Sequence, residues 1–135
     1  MKALAVHVIV DLHGCPFELL DDVPKLQEAL RKAAGIAKTT VLEEAFSKFQ
    51  PQGVSGVLVV SESHLSVHTW PEHGFAAVDI FSCGDASAVN EAAQFLVGAL
   101  NARHHTMTRV ERGLPGQMPG PRPGNPEPSR AAAAV

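Results

Sequence analysis

The run Ser61-Glu62-Ser63-His64-Leu65-Ser66-Val67-His68-Thr69-Trp70-Pro71-Glu72 is polar and reactive, yet it is spaced as a strand. In extended backbone, successive side chains point to opposite faces. Residues 64 to 70 therefore place His64, Ser66, His68 and Trp70 on one face and Leu65, Val67 and Thr69 on the other. One face can join a core while the other gathers imidazoles, a hydroxyl and an aromatic ring. Glu72 follows just beyond.

Working outward, Val54 to Ser61 and Phe75 to Ser82 read as strands on either side of this run, with Gln50-Pro51-Gln52-Gly53 as a turn and Pro71 and Gly74 as punctuation. Thr39 to Phe49 reads as a further strand. Near the start, Val6, Val8, Val10 and Leu12 alternate with His7, Ile9, Asp11 and His13, again as a strand. Asp21 and Asp22 before Pro24 open a helix, because a carboxylate there accepts from unpaired backbone N–H groups. Val23, Leu26, Leu30, Ala33 and Ala37 follow at helical spacing. Gly84-Asp85 opens a second helix, with Val89, Ala92, Leu96 and Leu100 on one face, and Thr106 to Glu111 reads as a last strand. The expected order is β-α-β-β-β-β-α-β, a two-layer α/β sandwich with a largely antiparallel sheet and two helices on one face. The other sheet face then needs cover, so a homodimer is expected.

At 135 residues the chain suits one domain, since domains run roughly 100 to 200 residues. Hydrophobic residues make up 45%, enough for a core. From Gly113 to Val135 the composition turns to Pro, Gly and Ala, so residues 1–112 are expected to be the folded domain and 113–135 a disordered tail. The net charge of −3 is scattered, without a basic stripe for nucleic acid, which points to a small substrate. Nothing approaches the roughly 20 apolar residues needed to span a membrane. The apolar start is broken by His7 and stopped by Asp11, unlike an export signal, so Cys15 and Cys83 are expected as reduced thiols in the cytoplasm.

Two chemistries can be weighed from the residues alone. A metal site of His64, His68 and His73 would suit a helix face, but this segment is a strand, and no zinc spacing completes it; no metal is expected. Hydrolysis by a Ser-His pair has little to mark it, because serines and histidines are plentiful and no G-x-S-x-G elbow occurs.

A third reading comes from likeness. The run Glu62 to Glu72 resembles the processing site of prokaryotic S-adenosylmethionine decarboxylases, and the likeness extends to Gly53-Val54-Ser55-Gly56-Val57 upstream and Asp79-Ile80-Phe81-Ser82-Cys83-Gly84 downstream. It covers nearly all of residues 1–112. The resemblance implies self-cleavage between Glu62 and Ser63. The Ser63 hydroxyl attacks the Glu62 carbonyl, elimination from the resulting ester leaves a dehydroalanine, and its hydrolysis by water with loss of ammonia leaves a covalent pyruvoyl group as the only cofactor. It further implies that His68 is the base for elimination, that Ser55 helps processing, and that Cys83 reprotonates carbon after decarboxylation through a Schiff base. Phe49, Leu65 and Trp70 would line the adenosyl pocket, and Glu72 would bind the ribose hydroxyls. The implied enzyme decarboxylates S-adenosylmethionine and supplies the aminopropyl donor for spermidine synthesis. Two alternatives stay open: the same chemistry on ornithine or arginine, and a non-catalytic ligand-binding homologue. The likeness assigns no role to Cys15.

Overall fold

The computed structural model describes residues 3–126. Strand β1 (Ala5–His13) leads through two helices, α1 (Phe17–Leu20) and α2 (Val23–Ile36), to β2 (Val41–Lys48). Strands β3 (Val54–Val60), β4 (Ser63–Trp70) and β5 (Phe75–Ser82) follow as a meander, then helix α3 (Ala86–Ala99) and β6 (His104–Arg112). The sheet order is β2-β3-β4-β5-β1-β6, and every adjacent pair is antiparallel. The expected α/β sandwich is present, with one addition. The short helix α1, opened by Pro16, was not legible because four residues are too few for a periodic signal. The Pro/Gly/Ala-rich segment expected to form a tail carries one 3-10 turn at Pro115–Gln117, and its residues 127–135 lie outside the described residues.

Both longer helices begin as their sequences dictate. The Asp22 carboxylate accepts from Lys25 N–H at 3.1 Å, and Asp85 accepts from Ser87 N–H at 2.8 Å, each satisfying a donor that the first helical turn leaves free. Leu26, Leu30 and Ala33 of α2 and Val89, Ala92 and Leu96 of α3 are fully buried. They meet Val10, Leu12, Leu58, Leu65, Val67 and Ile80 from the sheet in one core. Burying one such Leu or Ile side chain is worth about 1.5–3 kcal/mol. Only one sheet face is covered. On the other face Ile9, Val59 and Val110 remain 38–43% exposed. Among the described residues, no helix is long and apolar enough to cross a membrane.

Thr69 joins the two layers. It is 6% exposed, its hydroxyl donates to Leu20 C=O at 2.7 Å, and the same oxygen accepts from Val54 N–H at 2.9 Å. One hydroxyl thus ties the end of α1 to the start of β3. Thr69→Val keeps the shape but leaves a buried N–H and a buried C=O unpaired, so stability should fall by about 2 kcal/mol. A urea-unfolding midpoint equal to the parent's would show that water or another group replaces the hydroxyl.

Candidate functional site

The β3–β4 hairpin carries most of the reactive residues and separates them into two groups. Its register pairs Ser55 with His68 at one end and Val60 with Ser63 at the other. Ser63 and His68 lie five residues apart on one extended strand, about 17 Å at 3.3–3.4 Å per residue. They also differ in face. Ser63 shares the parity of Leu65 and Val67, which are buried against the helices, whereas His68 belongs to the open face. Within one chain, Ser63 and His68 are not brought together.

At the first end, Ser55 Oγ and His68 Nδ1 share a hydrogen bond of 2.9 Å. The Trp70 indole sits 5.4 Å from the Phe75 ring, and both Trp70 and Phe49 are exposed, at 42% and 49%. Phe49 opens the loop from β2 to β3 and donates its N–H to Gly53 C=O at 2.8 Å. Glu72 lies exposed in the 3-10 turn Pro71–His73 that ends β4. Phe49, Ser55, His68, Trp70 and Glu72 therefore cluster at one end of the hairpin. Leu65 stands apart from them: it is fully buried among core side chains, so it supports β4 from the helix side.

At the second end, Ser61 and Glu62 form the two-residue turn between β3 and β4, and Ser63 begins β4. Glu62 has φ +59°, a left-handed conformation that costs a residue with a Cβ more than it costs glycine. Hairpins with two-residue loops favour turns with φ > 0 at the first central position. Here only the second central residue, Glu62, has it. The Glu62–Ser63 peptide bond is thus held in a tight, unfavoured turn. Ser63 pairs with Ser82 across to β5, which brings Cys83 to the same end. Burial pushes the Cys83 thiol above its usual range, and the nearby Glu62 carboxylate pushes it further. Cys83 is consequently a protonated thiol at neutral pH, able to donate a proton.

Between the two ends lies a network that the sequence reading missed. Asp79 on β5 accepts from Ser66 Oγ and binds His7 Nε2 at 2.5 Å and His64 Nε2 at 3.2 Å. Burial alone would raise the Asp79 carboxyl, but these three partners together hold it below the ordinary carboxylate range. His7, His64 and Asp79 approach closely enough to suggest metal ligands. However, Arg112 Nη1 stands 3.3 Å from His7 Nδ1. A guanidinium can only donate, so Nδ1 accepts, and the proton sits on Nε2 facing Asp79. The cluster is a hydrogen-bonded network centred on Asp79. His64, His68 and His73, the trio set aside as ligands from the sequence, do not form such a group among the described residues. Asp79 was open to detection as a single charge amid the otherwise apolar run Phe75 to Phe81. Its partners were not, because they come from β1 and β4.

A helix-backed antiparallel sheet that carries a Ser–His pair, a thiol and an aromatic cluster is the framework of a small α/β enzyme. Residues 6–113 match the family described as S-adenosylmethionine decarboxylase. The S-adenosylmethionine decarboxylase proenzymes of Moorella thermoacetica and Carboxydothermus hydrogenoformans are each 47% identical over 114 residues. The alignments cover 84% of this chain and 91% and 90% of those proteins. The crystal structure of the adenosylmethionine decarboxylase from Aquifex aeolicus VF5 superposes with a TM-score of 0.80 at 34% identity, covering 90% of this chain and all of that one. The chain belongs to the S-adenosylmethionine decarboxylase family.

The proximity of Glu62 to Cys83 has a direct consequence. In a Ser63→Ala chain, alkylation of Cys83 by iodoacetamide, read by peptide mass, should reach half its maximal rate at a pH above that of a free thiol. Glu62→Gln removes one anion that opposes the thiolate, so the midpoint should move partly back down while the effect of burial remains. A midpoint indifferent to Glu62→Gln would mean that the two groups do not sense each other.

Proposed function

We propose that the chain cleaves itself between Glu62 and Ser63, and that two copies together decarboxylate S-adenosylmethionine. The observation that carries this reading is the separation of Ser63 from His68 along β4, at opposite ends of one strand and too far apart to react within one chain. A face-to-face, two-fold pairing of the open sheets would lay the Ser63 end of one chain against the Ser55–His68 end of the other. A two-fold operation makes two identical sites of this kind. The exposed Ile9, Val59 and Val110 would be buried by the same contact.

In this arrangement each residue has work suited to its surroundings. Glu62, left-handed in a tight turn, carries the carbonyl that the adjacent Ser63 hydroxyl would attack, and the attack would relieve an unfavoured backbone conformation. His68 of the opposite protomer, oriented by its bond to Ser55, takes the proton that elimination requires. The tight turn and the adjacent Cys83 thiol suit Ser63 as the precursor of a pyruvoyl group. That group supplies a carbonyl able to accept the electrons freed when carbon dioxide leaves. Cys83, kept protonated by burial and by Glu62, returns a proton to carbon. Phe49 and Trp70 offer exposed aromatic faces for an adenine and a sulfonium, and Glu72 a carboxylate for ribose hydroxyls. Cys15 and Cys83 are both unpaired thiols, which fits a reducing cytoplasm.

Intact mass tests the first half of the proposal. The purified protein should separate under denaturing conditions into two chains that break after Glu62, whereas Ser63→Ala should stay whole. A wild-type chain that never cleaves would remove the enzyme reading. Co-expression tests the shared site. Neither Ser63→Ala nor His68→Ala should cleave alone. In the mixed dimer, the His68→Ala chain should be cut, because its Ser63 meets an intact His68 from the other protomer. No cleavage in the mixture would place the base within the same chain.

Cys83→Ser should still cleave yet turn over S-adenosylmethionine at least roughly 100-fold more slowly, as expected when a general acid is lost. Unimpaired turnover would take Cys83 out of the reaction. Assay of the parent with ornithine and arginine should give no product.

A further inference from the structure

The Asp21 carboxylate lies between two helices, outside the residues so far given a role, yet it reaches the loop that carries Phe49. Its Oδ1 accepts from Gly53 N–H at 2.9 Å and from Lys48 Nζ at 3.0 Å. Lys48 and Gly53 flank the loop from β2 to β3 on its two sides, so one oxygen atom grips both of its shoulders. Asp21 itself is fixed. It caps the end of α1, where its backbone N–H bonds to Phe17 C=O at 3.1 Å, and the preceding Leu20 C=O is held by Thr69. The loop has little other freedom where it touches the sheet. Gly53 has φ +112°, and a Cβ there would come within 3.2 Å of Thr69 C=O, with the Phe49 ring and Pro71 next nearest. The grip therefore sets how Phe49 stands beside the end of β4, where Trp70 and Glu72 are found.

We infer that Asp21 is a positioning residue for the adenosyl half of the substrate, acting through the loop of residues 49–53 and never touching the substrate itself. The inference rests on the reading of Phe49 and Trp70 as the adenosyl wall. Two partners divide the role. The hydrogen bond to Gly53 N–H fixes the loop backbone, and the ion pair with Lys48 fixes its other shoulder. Burial of the carboxylate is slight, and both partners hold it below the ordinary carboxylate range, with the Gly53 N–H contributing most. It stays charged throughout the neutral range, so the grip is permanent and does not switch with pH. Ser55 and His68 are positioned separately, by the β3–β4 register, and self-cleavage does not depend on the grip.

The test compares Asp21→Ala, Asp21→Asn and Lys48→Met in the full-length, self-cleaved protein. Loss of both bonds in Asp21→Ala should raise KM for S-adenosylmethionine by roughly tenfold or more, with kcat and the rate of self-cleavage changed less than about threefold. Asp21→Asn keeps an acceptor for Gly53 N–H, and Lys48→Met removes only the ion pair, so both should fall between parent and Asp21→Ala. A residue that merely stabilises the fold would instead depress cleavage, kcat and thermal stability together. Binding of 5′-methylthioadenosine, the substrate's nucleoside without its amine, gives a second readout in the uncleaved Ser63→Ala background. Its Kd should weaken in step with KM. An unchanged Kd and KM in Asp21→Ala overturns this inference while leaving the decarboxylase reading intact. Failure of the parent to cleave or to turn over S-adenosylmethionine overturns the decarboxylase reading, and the Kd comparison still decides whether Asp21 sets a nucleoside site.

Discussion

The two-residue period of strand β4 is the constraint on which the rest of the molecule depends. Leu65 and Val67 are fully buried and Thr69 nearly so, and they anchor the sheet to its helices. The residues between them have no choice but to face the open side. A shift of one residue in the pairing of β3 with β4 would bury His64, Ser66 and His68 and expose the core set. Core packing and the display of reactive groups are therefore one event: the free energy of burying Leu65 and Val67 holds His68 against Ser55. Gly56 belongs to the same arrangement, because the Phe46 ring from β2 lies where its Cβ would be.

The same hairpin keeps incompatible tasks apart. The turn at Ser61 and Glu62 is tight and carries a left-handed Glu, which suits the bond proposed to be broken. The far end is built from hydrogen bonds that persist: Ser55 to His68, Thr69 to Leu20 and Val54, and Asp21 to Gly53. Under the proposed self-cleavage, a base about 17 Å from Ser63 along the strand would make pairing of two chains a condition for chemistry.

The Asp79 network occupies the open face between these ends. Three strands contribute to it, β1 through His7, β4 through His64 and Ser66, and β5 through Asp79. Phe81 packs beside it, with the His64 ring stacked at 5.6 Å and the Arg112 guanidinium 5.8 Å above. A carboxylate with three hydrogen-bonding partners can be covered by another apolar surface at less cost than a bare one, because its oxygens are already hydrogen-bonded within the chain. That makes a polar centre compatible with an open face that also carries Ile9 and Val59.

Read alone, the sequence determined the strands, the two longer helices, their caps and the face each buries, because alternation and helical spacing are local patterns. It also supplied, through likeness, the residues of the reactive run from Glu62 to Glu72. It did not show α1, which is too short to be periodic, nor that Leu65 belongs wholly to the core. Asp21 and Thr69 gave no sign of their contacts with Gly53 and Leu20, which lie 32 and 49 residues away. Nor did it show that Ser63 and His68, close neighbours in the chain, stand at opposite ends of the site. Tertiary structure decided those matters, for the physical reason that an extended strand carries near neighbours apart at over 3 Å per residue while sheet pairing brings distant residues into contact.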